Sequence, residues 1–158
     1  MARVLVVEDD DDIRQLVTGF LTREGHQTEG ASSAEEAIAR LREGGYDLLV
    51  LDVMLGRVSG WSVLEELNRS GLRHRLKVLA LTARRSERDF MDGWRLGVDQ
   101  YMTKPFDAET FLASVQDVLT RTPEQLAARR KAELEKAELL YRLDSAFEGR
   151  RHAPREDP

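Results

Sequence analysis

Short runs rich in leucine or β-branched residues alternate with amphipathic stretches over the first 120 residues, and this alternation restricts the fold more than any single residue does. "RVLVV" (3 to 7) reads as a buried strand, followed by "DDIRQLVTGFLTREG", where Ile13, Leu16, Val17, Phe20 and Leu21 fall at helical spacing before Gly25 ends the helix. The weaker "HQTEGA" reads as a short strand near an edge. "SSAEEAIARLREGG" opens with Ser33 and Glu36 in capping-box spacing and closes on two glycines. "DLLVLD" (47 to 52) is a third strand with "GWSVLEELNRSG" as its return helix. "KVLALT" (77 to 82) is a fourth strand, and "SERDFMDGWRLG" a helix with Ser86 as its N-cap. "VDQYMT" (98 to 103) is a fifth strand, and "DAETFLASVQDVLTR" a fifth helix with a face of Phe111, Leu112, Val115, Val118 and Leu119. Short strands separated by helix-length crossovers must be parallel, with helices on both faces. The expected fold is α/β: a doubly wound five-stranded parallel sheet of the flavodoxin-like (βα)5 type, with a C-terminal helical extension.

The totals agree with one domain and an appendage: 158 residues, 41% of them hydrophobic. The absence of cysteine excludes disulfides and thiolate metal sites and fits a reducing compartment. "MARVLVVEDD" turns acidic after the four apolar residues that follow Arg3, unlike a secretory leader, and no run approaches the ~18 to 20 apolar residues that cross a bilayer. A soluble, cytoplasmic chain with no membrane association is expected. A net charge of −5 argues against a general nucleic-acid binder.

In an open parallel sheet, ligands collect at the carboxyl ends of the strands. The polar residues of this chain fall there. Strand one ends in Glu8, Asp9 and Asp10, strand three in Asp52 and strand four in Thr82, while Lys104 and Pro105 follow strand five. Carboxylates held together repel, and an oxygen-binding divalent cation such as Mg²⁺ relieves the repulsion. A metal beside an aspartate suits phosphoryl chemistry, with the cation neutralising phosphate oxygens while the carboxylate attacks phosphorus.

"VLVVEDD", "LLVLDVML", "VLALTA" and "GVDQYMTKPF", in this order and spacing, resemble the receiver domain of two-component response regulators over residues 3 to about 120. The resemblance implies that Asp52 is the phosphoacceptor, charged from a phosphohistidine on a sensor histidine kinase or phosphotransfer protein. It implies Mg²⁺ bound directly by Asp9 and Asp52, mostly through water by Glu8, and by the Met54 backbone carbonyl. Thr82 becomes the switch hydroxyl, Tyr101 the switch aromatic and Lys104 the phosphate-binding lysine. Pro105 follows a cis peptide bond in that family and shapes the loop that presents the lysine.

Each residue also has a plainer reading. Asp52 alone caps the turn before the third helix, Thr82 alone is an ordinary β-branched strand residue, Tyr101 is core and Lys104 a surface lysine. Glu8 to Asp12 reads as a helix start favoured by the helix dipole, and that description is kept for Asp10 to Asp12. Trp61 and Trp94 are packing residues, with Trp94 a lesser candidate for a partner surface. Three departures stand out: Gly56 and Gln100 where the family usually has proline and an acid, and Arg57 beside the first. Glycine frees the torsions that proline fixes, so a more mobile loop is expected beside Asp52. Met54 and Arg84, both large, flank the water path to the phosphoryl group in such proteins, which implies slow self-hydrolysis.

Thr122, Pro123 and Gln125 start a further helix, expected to run to about Glu148 and to break at Gly149, ahead of a disordered 149 to 158. The expected organisation is a receiver over 1 to 121, an appended helix over 122 to 148 and a tail. The helix's apolar residues, Leu126, Leu134, Leu139, Leu140, Tyr141, Leu143 and Phe147, crowd towards its C-terminal half, and that face is expected to pack on a partner, a second subunit or the chain's own receiver. Residues 121 to 158 carry nine basic and eight acidic side chains, interspersed, too little for a DNA-binding tail. Three functions follow. A switching receiver signals by protein contact without DNA, through helix four, strand five and helix five or through the added helix, to an output protein or as a homodimer. An aspartate-nucleophile phosphatase needs an acid two residues after the nucleophile, where Met54 stands. A non-switching pseudo-receiver acts as a structural interaction module.

Overall fold

The computed structural model describes residues 1–73, 75–83 and 87–151. Within them the chain forms β1 (Arg3–Val7), α1 (Asp11–Arg23), β2 (Gln27–Ala31), α2 (Ala34–Glu43), β3 (Leu48–Asp52), β4 (Met54–Leu55), β5 (Val58–Ser59), α3 (Trp61–Ser70), β6 (Lys77–Thr82), α4 (Glu87–Leu96), β7 (Gln100–Thr103), α5 (Ala108–Thr120) and α6 (Pro123–Arg151). The sheet has the order β2-β1-β3-β6-β7, with every pairing parallel. The five strands read from the sequence are these five, and the weak second run is an edge strand as expected. The strand order reverses between β1 and β3, which opens a crevice at their carboxyl ends.

Strand alternation divides the apolar residues into two cores. Leu5, Val7, Leu49, Leu51, Val78 and Ala80 face α2, α3 and α4, where Leu41, Leu64, Leu67, Met91 and Trp94 meet them. Val4, Val6, Leu48, Val50, Leu79 and Leu81 face α1 and α5, packing on Val17, Leu21, Phe111, Val115 and Val118. Both faces are covered, which explains the near-continuous apolar strands. Trp61 and Trp94 are both buried, in agreement with the packing role expected for them.

Local signals set most element ends. Asp10 caps α1 by accepting from the N–H groups of Asp12 and Ile13, and Ser33 caps α2 by accepting from Glu36 N–H. The Glu36 carboxylate reaches the Ser32 N–H rather than that of Ser33. β7 starts two residues later than its expected start at 98, because the Asp99 carboxylate takes the Val78 N–H at 2.8 Å. Ser86, the expected cap of α4, and the expected tail beyond Arg151 lie outside the described residues.

The stretch after Asp52 departs from expectation. β4 and β5 form a miniature antiparallel hairpin that was not expected, pairing Met54 with Ser59 and Leu55 with Val58 across Gly56 and Arg57. Gly56 holds φ at +62°, whereas Arg57 does not adopt positive φ. That is the pattern of a type II′ turn, with glycine at the first central position. Proline, held near −65°, cannot occupy it.

α6 begins with the expected capping box: Gln125 N–H donates to Thr122 Oγ1 at 3.1 Å and Thr122 N–H to Gln125 Oε1 at 3.0 Å. It then lies along α4 of the same chain, the receiver being one of the partners expected for it. The contact falls in its first half, where Leu126 and Ala137 are buried, Leu134 is half-buried and Arg95 meets Glu138 at 3.1 Å. Leu139, Leu140, Tyr141, Leu143 and Phe147, expected to carry the packing, are exposed. α4 has only 10 residues and α6 has 29, so the long helix outruns its support. Gly149 does not end α6, which continues to Arg151. A helical glycine costs about 1 kcal/mol relative to alanine but forbids nothing.

Candidate functional site

The crevice at the carboxyl ends of β1 and β3 gathers the acids. Glu8 is 1% exposed and Asp52 5%, while Asp9 faces solvent, and their carboxylate oxygens lie within 4.8 Å of one another. Backbone hydrogen bonds fix the frame: Glu8 N–H donates to Ala31 O at 3.1 Å, and Val53 N–H to Leu81 O at 2.9 Å. Lys104, 52 and 96 residues away in sequence, spans two of the acids, with Nζ 2.7 Å from Asp52 Oδ2 and 3.0 Å from Glu8 Oε2. The other Asp52 oxygen, Oδ1, accepts from Met54 N–H at 2.9 Å. The lysine is delivered by the loop after β7, where Lys104 N–H donates to Thr82 O at 2.8 Å and the Lys104–Pro105 peptide is cis.

Two of the three carboxylates share one ammonium, and the imbalance shows in the acid–base behaviour. Burial, then contact with Asp52, pushes the Glu8 carboxyl up to about 8 from its ordinary 4.5, against the opposing pull of Lys104. Burial opposes the charge on Lys104, but hydrogen bonds to Asp52 and Glu8 outweigh it and raise the ammonium above its usual value. This donor set, all oxygen, partly buried and with surplus negative charge, suits a hard divalent cation.

Thr82 ends β6, buried and paired in register with Thr103, one residue beyond the Leu81 that faces Asp52 across the ladder. Tyr101 is not in the acid cluster. It lies under α4, its hydroxyl donating to the carbonyls of Asp89 and Phe90 at 3.2 and 3.3 Å. Trp61, Phe90 and Trp94 surround its ring edge-on, at centroid distances of 6.1, 4.8 and 5.1 Å. Burial raises the phenol's pKa well above its ordinary value. Arg57 is exposed at the hairpin turn, and Arg84 lies outside the described residues.

Two supports of the site carry no chemistry and were not read from the sequence. The Arg14 guanidinium donates to the Glu8 carbonyl at 2.8 Å from α1, running past Gly30, where a Cβ would stand 3.1 Å from Arg14 Cδ. Gly60 begins α3 with no side-chain cap, and a Cβ there would overlap the Asp52 carbonyl oxygen. A glycine where Ser, Thr or Asp is usual at a helix start was the available signal.

Comparison with known proteins matches residues 4–116 to the family described as response regulator receiver domain. The transcriptional regulatory protein PcoR of Escherichia coli is 37% identical over 127 residues, covering 80% of this chain and 55% of PcoR. The phosphate regulon transcriptional regulatory protein PhoB of Escherichia coli is 37% identical over 119 residues, covering 75% of this chain and 52% of PhoB. The chain thus spans about half the length of these curated relatives. Among solved structures, chemotaxis protein CheY4 of Vibrio cholerae superposes with a TM-score of 0.71 at 30% identity, over 75% of this chain and 99% of CheY4. Response regulator TrrA of Thermotoga maritima, in complex with Mg²⁺ and BeF, superposes at 0.66 with 32% identity over 75% of this chain and all of TrrA. With the family match spanning most of its length and the acids, threonine and lysine set on one rim, this chain belongs to the response regulator receiver domains of two-component signalling.

Proposed function

We propose that Asp52 accepts a phosphoryl group from a phosphohistidine of a sensor kinase or phosphotransfer protein. The observation that carries this is Lys104 Nζ bridging Asp52 and Glu8. An Asp52 oxygen attacks phosphorus, the P–N bond breaks and its electron pair returns to the donor imidazole. The two Asp52 oxygens already differ, Oδ1 taking the Met54 amide and Oδ2 the lysine, so the carboxylate is oriented before the donor arrives. Lys104 then neutralises phosphoryl oxygens as charge develops. Asp9, Asp52 and the Met54 carbonyl, with Glu8 through water, would hold Mg²⁺, which supplies charge neutralisation at the phosphoryl group; TrrA, in complex with Mg²⁺ and BeF, supports this set. Thr82 and Tyr101 are the switch residues. Beyond self-hydrolysis of its aspartyl phosphate, the chain performs no catalysis on a separate substrate.

The proposed organisation is a receiver over residues 1 to 121 followed by a helix that carries output. Signalling runs by protein contact in the cytoplasm, to an output protein or a second copy, not through DNA contacts by these residues. In support, the charges of α6 are intermixed, and no helix among the described residues is long and apolar enough to cross a membrane. α6 and the α4–β7–α5 face form one continuous surface, for Arg129 reaches both Asp117 on α5 and the Asp99 carbonyl. The test is phosphoryl incorporation from acetyl phosphate with Mg²⁺, followed by gel retardation, and Trp61 and Trp94 fluorescence on adding beryllium fluoride. Incorporation lost completely in Asp52→Asn is expected. Silence of the wild type in both measurements would overturn the reading in favour of a pseudo-receiver.

A further inference from the structure

The end of the sheet opposite Asp52 carries a concave surface that the phosphoryl site does not use. A cavity of about 660 Å³ lies where the approach to β6, the turn from α4 to β7 and the first turns of α6 meet. Arg73, Arg75, Lys77, Arg95 and Arg130 line it, against the single acid Asp99 among the described residues. The whole chain carries a net charge of −5, so this positive surplus is local. Between the cations the wall is apolar, made by Leu76, Trp94, Leu96 and Leu126.

Three of the cations are committed to the fold. Arg73 donates to Leu76 O at 3.1 Å, to Leu96 O at 3.3 Å, and to Gly97 O and Asp99. Lys77 holds the end of α5 through the carbonyls of Leu119 and Arg121, at 2.9 and 2.8 Å, and Arg95 pairs with Glu138. Burial lowers the Arg73 pKa from its ordinary value against the pull of Asp99, and the nearby Arg130 adds to the lowering. The other two cations keep donors to offer. Arg130 gives Nη1 to Asp99 and has no partner for Nε or Nη2 among the described residues. Arg75 is exposed, pairs with nothing among the described residues, and holds φ at +63°, where they include no other non-glycine residue. Left-handed backbone is unfavourable for a long side chain, and no contact of Arg75 within the chain offsets it.

We infer that this cavity binds a nucleotide, with its phosphates on Arg75 and Arg130 and its base against Leu76, Leu96 and Leu126. A guanidinium presents paired N–H donors that match phosphate oxygens, and two of them with free donors flank the space. The apolar wall would serve no purpose for inorganic phosphate, and the volume falls in the range of roughly 300–1,000 Å³ usual for organic ligands. Arg75 and Leu76 belong to the receiver, Leu126 and Arg130 to α6, so the ligand bridges the two. Bound nucleotide therefore tightens the docking of α6, and docked α6 raises affinity for the nucleotide. The cavity shares no residue with the Asp52 crevice, and the inference stands apart from the phosphoacceptor reading.

The probe is ATP, titrated calorimetrically into the full chain with EDTA at about 0.15 M ionic strength, where exposed charges are largely screened. Without metal the acidic crevice repels the ligand. A single site per chain is expected, with affinity falling from ATP to ADP to AMP, and inorganic triphosphate binding about tenfold more weakly than ATP for want of a base. Arg75→Gly should weaken ATP by about tenfold or more without loss of unfolding stability in urea, since glycine accepts φ of +63° and the side chain has no partner to lose. Arg75→Lys, which keeps the charge but not the fork, should fall between. With ATP bound, amide hydrogen exchange along residues 126 to 137 should slow. No binding of ATP, equal binding of inorganic triphosphate, or unchanged affinity in Arg75→Gly would each overturn the inference. So would affinity lost in Lys104→Ala and kept in Arg75→Gly, which puts the ligand at Asp52, or a single-stranded oligonucleotide binding more tightly than ATP, which makes the surface a nucleic-acid site.

Discussion

Two carboxylates sit almost fully buried in the same sheet, Asp52 at its carboxyl end and Asp99 at its amino end, and the protein treats them in opposite ways. Asp99 is saturated by permanent partners: Arg130 on Oδ1, Arg73 on Oδ2 at 3.3 Å and Val78 N–H on Oδ2 at 2.8 Å. Asp52 shares a single lysine with Glu8 and lies beside a third acid. A buried charge requires compensation in either case. At Asp99 the compensation is built into the chain and does not vary. At Asp52 it is left incomplete, so the balance changes with whatever enters: a proton, a cation or a phosphoryl group.

The contrast can be broken most strongly at Asp99. Asp99→Ala takes the carboxylate from Arg73, Arg130 and the Val78 amide, and should lower unfolding stability by about 3 kcal/mol in urea melts, with phosphoryl incorporation at Asp52 retained in the folded fraction. Magnesium sharpens the contrast from the other end. At a hundredfold excess over its Kd it should stabilise the wild type and Asp99→Ala alike by about 2.7 kcal/mol, and Asp9→Ala should lose that gain in thermal melts. Next comes pH. In metal-free buffer, native Glu8 keeps its proton up to about 8, whereas the unfolded chain releases it near 4.5. The native state binds more protons in that window, so this contribution to stability is whole below it and is lost as pH rises through it, by at most about 1.4 kcal/mol per pH unit. Glu8→Gln should flatten that slope in urea melts at pH 5, 6, 7 and 8. The smallest effect belongs to the exposed pair Arg95–Glu138, where Glu138→Ala should change stability by no more than about 0.5 kcal/mol.

The Asp52 cluster was legible from the sequence, and the Asp99 cluster was not. Glu8, Asp52, Thr82 and Lys104 each lie at the end of an apolar run, and topology alone then sends them to one rim. Arg73, Asp99 and Arg130 carry no such signal. They lie in connecting segments and on a helix, and it is the docking of α6 that brings Arg130 to the Arg73–Asp99 pair. The course of α6 was hidden for a related reason: its most apolar half is its exposed half, and the residues it buries are Leu126 and Ala137. The hairpin after Asp52 was missed because two-residue strands have no periodicity, although Gly56 marked the place. The segment is turned back on itself at a position, φ +62°, that glycine fills comfortably.

The placement of the two charge clusters also gives the molecule a polarity. Acids crowd the carboxyl ends of the strands, from Glu8 to Asp12 and at Asp52, while Arg3, Arg73 and Lys77 lie towards the amino ends. A negative pole lies at the crevice that holds Glu8, Asp9 and Asp52. A macromolecule presenting positive charge will be turned to meet that pole before contact, at a rate that falls as ionic strength rises. An incoming phosphoryl group is itself negative and is repelled by that pole, so donors with a cationic rim around the phosphate will reach Asp52 faster than small phosphodonors carrying the same leaving group.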